Sequence, residues 1–143
     1  MIRSEVLAAF AAITLPLALT AQAVADAGTS TPEAKAARDV VTREVAAFNA
    51  HDAAAVAKLH APLAAISVLP SGKALCRGTA RIEAFFTRVF SKTPKVHLAL
   101  DKQYVFGDMV VNHYAVSNGT GAELVALYHV KDGVIANEWL VFG

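Results

Sequence analysis

Histidines and carboxylates are the side chains of this sequence that could move a proton. The chain has five histidines and 12 acidic residues, and His113, His129 and Glu138 fall within one stretch of predicted β-structure. A histidine beside a glutamate in an apolar cavity forms an acid/base pair that can work near neutral pH. Proton transfer is therefore the first chemistry to consider, provided that the fold brings such a pair together.

Other common chemistries lack their sequence signatures. The chain contains no phosphate-binding loop, nucleophile elbow or dinucleotide fingerprint. No His-x-His or His-x-x-x-His pair lies on a predicted element, so we expect no metal and no other cofactor. The formal net charge of +1 offers no basic surface for nucleic acid. Cys76 is the single cysteine, so an intramolecular disulfide is impossible and the fold must rest on its core.

The first 23 residues have the pattern of a secretory signal peptide. Arg3 precedes an apolar run over residues 6–20, and Ala21-Gln22-Ala23 forms a small-residue cleavage site. We expect the mature chain to begin at Val24, or at Gly28 if the second small-residue site is used. The protein is then periplasmic or secreted, with no stable membrane insertion after cleavage. An uncleaved anchor helix is the alternative interpretation.

A short tether over residues 24–31 is expected to lead into one domain over residues 32–143. The domain opens with helical periodicity: apolar residues recur every three or four positions in a first helix capped by Thr31. Asp52 is expected to cap a second helix that runs to His60. The remaining predicted elements are a short strand over Ala64–Leu69, a loop over Lys73–Gly78, and a third helix capped by Thr79 with an apolar stripe of Ile82, Phe85, Phe86, Val89 and Phe90.

From Leu98 to Gly143, four β-branched and aromatic runs are separated by turn residues. This spacing predicts an antiparallel meander. The whole chain is thus predicted to be an α+β domain in the order ααβαββββ, with helices packed on one face of the sheet. Both faces of the strands are apolar, so we expect a homodimer formed through the outer sheet face.

Five short motifs occur in the order and approximate spacing typical of the NTF2-like superfamily. They are Phe48-Asn49-Ala50-His51-Asp52, Lys58-Leu59-His60-Ala61, Arg77-Gly78-Thr79-Ala80-Arg81-Ile82, Val105-Phe106-Gly107-Asp108-Met109-Val110-Val111 and Tyr128-His129-Val130-Lys131-Asp132-Gly133-Val134-Ile135. The sequence most resembles the SnoaL-like and ketosteroid-isomerase-like branches. That resemblance implies a cone, in which a strongly curved antiparallel sheet wraps around helices and encloses an apolar pocket.

The resemblance also implies positions for catalytic acids, and this chain departs from them. The steroid isomerases' base falls at Leu69, their helix tyrosine at Glu44, and their second acid at or beside Leu127. The polyketide cyclases carry an aspartate after the tryptophan of the final strand, whereas Trp139 is followed here by Leu140. Neither mechanism can therefore operate here with the family's own residues.

Two other constellations remain as candidates. In dehydratase and dehydrochlorinase members, an aspartate at the end of the first helix orients a histidine early in the sheet, and Asp52 and His97 occupy roughly those places. The competing interpretation is structural, with Asp52 as a helix cap and His97 exposed at the start of a strand.

The second constellation depends on strand parity. If Leu127 faces the pocket, alternation turns His129 inward as well, and His113 and Glu138 are expected to share that face. A one-residue slip would place these polar residues outside, and the pocket would then be lined by Tyr114, Tyr128 and Trp139. The predicted catalytic residues are therefore His97, Asp52, His113 and Glu138, and the predicted ligand-binding residues are Phe85, Tyr114, Leu127, His129 and Trp139.

Two functions follow from these features. The first is an exported protein that binds a small hydrophobic molecule in its cone and acts as a cofactor-free isomerase or lyase by proton transfer. The second is a non-catalytic ligand-binding or dimerisation module that has lost the family's carboxylates. The missing acids at Leu69 and Leu127 favour the second function, and the clustered histidines favour the first.

Overall fold

The computed structural model describes residues 31–117 and 121–143. The described helices are α1 (Pro32–Asn49), α2 (Ala53–Lys58) and α3 (Thr79–Lys92). The described strands are β1 (His60–Val68), β2 (Lys73–Arg77), β3 (Leu98–Phe106), β4 (Met109–Val116), β5 (Ala122–Lys131) and β6 (Val134–Phe142). The predicted signal peptide and nearly all of the predicted tether lie outside the described residues.

The strands form one curved sheet in the order β2-β1-β6-β5-β4-β3. All neighbours are antiparallel except β1 and β6, which are parallel. The predicted α+β class and the four-strand meander are confirmed. The segment Lys73–Gly78, predicted to be a loop, instead contributes strand β2. Only one of its five residues, Cys76, is buried. A single buried position gives no alternating apolar pattern, so the strand could not be recognised in the sequence.

The predicted caps hold for the first two helices. Thr31 Oγ1 accepts a hydrogen bond from the Ala34 amide at 3.1 Å, and Asp52 Oδ1 accepts one from the Ala55 amide at 2.9 Å. The third helix differs from the prediction: Gly78 is its N-cap and Thr79 its first residue, with no side-chain cap. Gly78 has a φ of +86°, a conformation that favours glycine.

The second helix ends two residues earlier than predicted, at Lys58, and His60 begins β1. The reason is tertiary. The Ile135 amide of β6 donates to the Leu59 carbonyl at 2.8 Å, and His60 pairs with Ile135 in the parallel ladder. Hydrogen bonding to the final strand therefore begins at Leu59, immediately after α2 ends.

The core lies between the helices and the inner face of the sheet. The predicted stripes of α1 and α3 meet there, with the ring of Phe48 packed edge-on against Phe86 at 5.8 Å and against Phe90 at 5.1 Å between centroids. Burying such aromatic surface is the main stabilising contribution of this layer. None of the helices within residues 31–117 and 121–143 is long and apolar enough to cross a membrane.

The end of α1 is tied to β3 by side-chain hydrogen bonds. Asn49 donates to the Leu98 carbonyl at 2.9 Å and accepts from the Leu98 amide at 2.8 Å. His51 adopts a φ of 56°, its Nε2 contacts the Val96 carbonyl at 2.8 Å, and its ring stacks on Phe90. These contacts fix the last turn of α1 against the sheet, where the main cavity opens.

Candidate functional site

An apolar cavity of about 310 Å³ lies between α1, α3 and the inner face of the sheet. This volume is at the lower end of the range for small-molecule sites, roughly 300–1,000 Å³. Its wall is built mainly from aromatic and aliphatic side chains and includes three acidic ones. The wall residues are Glu44, Phe48, Phe85, Phe86, Val89, Thr93, Val96, Leu98, Val116, Ala122, Glu123, Leu124, Tyr128, Glu138, Leu140, Phe142 and Gly143.

Glu44 projects from the buried face of α1 into this cavity and is 2% exposed. Tyr128 donates its hydroxyl hydrogen to Glu44 Oε2 at 3.4 Å. Burial raises the pKa of the Glu44 carboxyl well above its usual value, and the negative charge of Glu138 raises it further, against a lowering by the Tyr128 hydrogen bond. The neutral acid form of Glu44 therefore persists to a higher pH than that of an exposed glutamate.

A chain of hydrogen bonds runs along the inner sheet face and ends at Glu44. Gln103 donates to Asn112 Oδ1 at 3.0 Å, and the Asn112 amide donates to the Tyr114 hydroxyl. The Tyr114 and Tyr128 hydroxyls are 3.1 Å apart. Because the Tyr114 oxygen already accepts from Asn112 and Tyr128 donates to Glu44, the remaining Tyr114 hydrogen points to Tyr128. Every donor of the chain is thus directed towards Glu44.

Burial raises the pKa of both tyrosine hydroxyls. For Tyr128 the nearby charge of Glu44 adds to this effect, and for Tyr114 the hydrogen bond from Asn112 opposes it. Both hydroxyls remain protonated at physiological pH and serve as hydrogen-bond donors.

Glu138 forms a buried pair with His60, in which Glu138 Oε2 is 3.1 Å from His60 Nε2. His60 Nδ1 is 2.9 Å from the Val56 carbonyl. Since a carbonyl can only accept, Nδ1 carries a hydrogen, and a single proton is left to be shared between Nε2 and the carboxyl oxygen. The histidine beside Glu138 is therefore His60, which does not line the cavity, and not the predicted His113.

The predicted partner, His113, lies on the opposite face of the sheet. The β5–β6 register pairs Tyr128 with Glu138 and Leu127 with Trp139, so Glu138 faces inward while Leu127 and Trp139 face outward. The shared parity assumed for Glu138 and Leu127 was wrong by one residue, and the His113–Glu138 pair is withdrawn.

The outer-face histidines have carboxylate partners of their own. His113 Nδ1 is 2.9 Å from Asp101 Oδ2, and His129 Nε2 is 2.9 Å from Asp108 Oδ2. His129, Leu127 and Trp139, predicted to bind the ligand, do not line the main cavity. Each is half-buried on the convex side of the sheet.

The other predicted residues are divided between structural and cavity positions. His97 is exposed at the start of the sheet, and Asp52 caps α2, with no hydrogen bond between them in the described part of the chain. Phe85 lines the cavity as predicted. Tyr114 is fully buried on the inner face, does not line the cavity as predicted, and contacts it only through the hydroxyl of Tyr128 at 3.1 Å. In the described ranges, no three His, Cys, Asp or Glu side chains are grouped to hold a metal ion.

Sequence reasoning missed Glu44 and His60 as site residues, and it placed Tyr128 in the pocket only under the alternative strand parity. Glu44 carries a detectable signal, because it interrupts the apolar stripe of α1 between Val41 and Phe48. Tyr128 follows from the correct strand parity. His60 gives no local signal, because its role depends on the parallel pairing of β1 with β6.

The fold and the cavity define a protein with the NTF2-like architecture. The family model of the SnoaL-like domain matches residues 41–138, which is more than half of the chain. The protein belongs to the SnoaL-like family. Among curated proteins, none matches the sequence.

Solved structures of this architecture superpose over most of the chain. A SnoaL-like protein from Burkholderia thailandensis has 19% identity and a TM-score of 0.66, over 76% of this chain and 95% of its own. An NTF2-like protein from Mesorhizobium loti has 20% identity and a TM-score of 0.67, over 79% and 95%. A proposed polyketide cyclase from Sinorhizobium meliloti has 22% identity and a TM-score of 0.63, over 71% and 93%. These similarities establish the fold.

Proposed function

We propose that this protein is exported and binds a compact hydrophobic molecule in the cavity, where it catalyses a cofactor-free proton transfer. One observation carries the proposal: an apolar cavity has a polar end at which Glu44, Tyr128 and Glu138 meet. Apolar walls with a few convergent polar groups are typical of small-molecule sites. Buried acids with shifted pKa values are typical of sites for acid/base chemistry.

Glu138 is the proton acceptor in this proposal. When the shared proton resides on His60 Nε2, Glu138 is a carboxylate and can take a proton from a carbon next to a carbonyl group. Returning that proton to another carbon gives isomerisation, and loss of a leaving group gives elimination. His60 does not line the cavity and is a positioning residue, with its tautomer fixed by the Val56 carbonyl.

Glu44 would serve the carbonyl oxygen. Glu44 is a neutral acid that can donate a hydrogen bond from Oε1, while the Tyr128 hydroxyl donates its own hydrogen to Glu44 Oε2 and orients the carboxyl group. Donors aimed at an oxygen that gains negative charge stabilise the enolate more than the ketone, which lowers the barrier.

Deuterium exchange tests this chemistry. Benzylacetone, a compact aromatic ketone, is incubated with the protein in deuterium oxide, and NMR follows exchange at the carbons beside the carbonyl. We expect exchange faster than in buffer, and a fall of about 10²–10⁴-fold in Glu138→Gln. The outer-face variant His113→Gln is the matched control and should retain the wild-type rate. Equal rates in wild type and Glu138→Gln would contradict the assignment of the base.

The second candidate function is ligand binding without chemistry. Leucine stands at the position where the resemblance places the isomerases' base, Leu69, and this favours it. In this case benzylacetone would bind, yet exchange would proceed at the rate of the buffer. The same experiment therefore separates the two functions.

A second copy of the chain is the proposed partner at the outer sheet face. An apolar row of Tyr104, Val111, Leu127 and Trp139 crosses four adjacent strands there. His113 and His129, each with its carboxylate, lie on the two sides of this row. A two-fold axis through the row would bring like apolar surfaces together and place these mixed-charge edges opposite each other, as an isologous interface requires.

Sedimentation velocity tests the dimer. The wild type should sediment as a dimer and Leu127→Glu as a monomer, because the substitution would bury an unpaired charge. The exposed Leu63→Glu, at 78% exposure on β1 and outside the apolar row, is the control and should remain dimeric. A monomeric wild type would overturn this proposal.

Export is tested separately by expressing the full chain in a bacterium and sequencing the N-terminus of the periplasmic product. Cleavage before Val24 or Gly28 is expected. Retention of Met1 in a cytoplasmic product would contradict export.

A further inference from the structure

The cavity wall contains acidic residues and no basic ones. Glu44 and Glu138 are its buried acids, and Glu123 is a third, exposed acidic member. Among the described residues that form this wall, there is no lysine, arginine or histidine. His60 offsets Glu138 from behind, and His113 on the outer face lies 3.6 Å from Glu123, so Glu44 is the acid left without a basic partner in the described part of the chain.

The helix ends that border the cavity add to this negative potential. Phe48 belongs to the last turn of α1, and Val89 and Thr93 belong to the last turn and C-cap of α3. The C-terminal end of a helix carries a partial negative charge that favours cations. No wall residue comes from the first turn of a described helix, where anions would be favoured.

Glu44 has one oxygen free for a ligand. Its Oε2 accepts from Tyr128, and its Oε1 accepts no hydrogen bond from the rest of the described chain. The side chain is nine-tenths buried or more and forms part of the cavity wall. The donor chain from Gln103 through Tyr128 would stabilise the carboxylate form of Glu44 once a cation binds, because each of its donors is directed towards this carboxyl group.

We propose that the polar end of the cavity recognises a positively charged nitrogen, so that the protein takes compact lipophilic amines and rejects carboxylates of the same size. This inference rests on the proposed binding function and adds the class of ligand. An ammonium group between Glu44 and Glu138 would favour ionisation of Glu44 and pair with its carboxylate, whereas a carboxylate ligand would meet two acidic side chains and two helix C-termini.

Binding of an amine changes the protonation of Glu44. In the free protein, burial and the charge of Glu138 raise the pKa of this carboxyl, and it holds its proton. An ammonium ion beside it favours the carboxylate form, so the proton leaves to solvent as the amine binds. A neutral head group such as a ketone leaves the proton in place and accepts a hydrogen bond from it.

Three probes with one apolar body test the inference by isothermal titration calorimetry at neutral pH: phenethylamine, phenethyl alcohol and hydrocinnamate. They present an ammonium, a hydroxyl and a carboxylate on the same phenylethyl group. We expect the amine to bind roughly 100-fold more tightly than the carboxylate, with the alcohol between them. Titrations in buffers of different ionisation enthalpy should show release of about one proton with the amine.

Glu44→Gln keeps the shape of the site and removes its ionisation. This variant should lose both the proton release and about tenfold or more of the amine preference while still binding the alcohol. Asp101→Asn on the outer face is the control and should behave as the wild type does. Unchanged amine binding and proton release in Glu44→Gln would overturn the inference.

The pattern of affinities tests the preference for a positive charge and the binding function separately. If the alcohol binds and hydrocinnamate binds as tightly as the amine, the charge inference fails and the binding function stands. If none of the three probes binds, the proposed binding function fails, and the inference fails with it.

Discussion

Replacing Glu44 by glutamine should make the protein's stability less dependent on pH. In the wild type, burial and the charge of Glu138 raise the pKa of Glu44 above its ordinary value of 4.5. Between the unfolded and the folded pKa, the folded state therefore holds one proton more than the unfolded chain. Stability contributed by this group is complete below the unfolded pKa and is lost as the pH rises towards the folded pKa.

The magnitude follows from the proton count. One extra proton in the folded state corresponds to a loss of about 1.4 kcal/mol per pH unit. Glutamine retains the acceptor for Tyr128 but cannot ionise. The free energy of unfolding of Glu44→Gln minus that of the wild type should therefore increase with pH by up to about 1.4 kcal/mol per unit, until the folded pKa is passed.

Urea unfolding at a series of pH values from about 5 to 8 measures this difference. The adjacent variant Arg43→Gln is the control, because it also removes one charge from α1, but on the exposed face. Guanidinium groups keep their charge throughout this range, so its difference curve should be flat. A flat curve for Glu44→Gln would refute the conclusion that Glu44 is neutral in the folded protein.

Three further predictions concern the surroundings of the site. Burial and the charge of Glu138 raise the pKa of the Cys76 thiol to about 11. Cys76 should therefore react with a disulfide reagent far more slowly in the native protein than in urea. Equal rates would contradict its burial. Phe86→Ala should lower the free energy of unfolding by about 3–5 kcal/mol, whereas the exposed Phe106→Ala should change it by about 0.5 kcal/mol or less; similar losses would contradict the packing. Asp52→Ala should lower the free energy of unfolding by about 1 kcal/mol, because a helix cap is lost. Deuterium exchange into benzylacetone should be unchanged. A slower exchange would restore a catalytic role for Asp52.

The fold could be predicted because its local signals agree with one another. Capping residues mark α1 and α2, periodic apolar residues define the faces of α1 and α3, and turn residues separate the strands of the meander. β2 and the end of α2 could not be predicted in the same way. Their conformations are set by hydrogen bonds to distant strands, as between Leu59 and Ile135.

Only part of the candidate site could be predicted from the sequence. Glu138 was identified, and a histidine was expected beside it. A strand of apolar residues on both faces does not reveal which face is inward, so His113 was chosen. His60 is 78 positions from Glu138, and the pair exists only because β1 runs parallel to β6, a pairing with no local sequence signature.

Crystal structures of the wild type and of Val89→Trp, both grown with phenethyl alcohol, test directly whether the cavity binds a small molecule. The added indole should fill the cavity from α3, and the exposed Ala84→Trp on the same helix is the matched control. We expect the alcohol to lie in the cavity of wild type and Ala84→Trp, with its hydroxyl in hydrogen-bond contact with Glu44, Tyr128 or Glu138. It should be absent from Val89→Trp. Alcohol bound elsewhere, with the cavity of the wild type empty, would contradict this expectation.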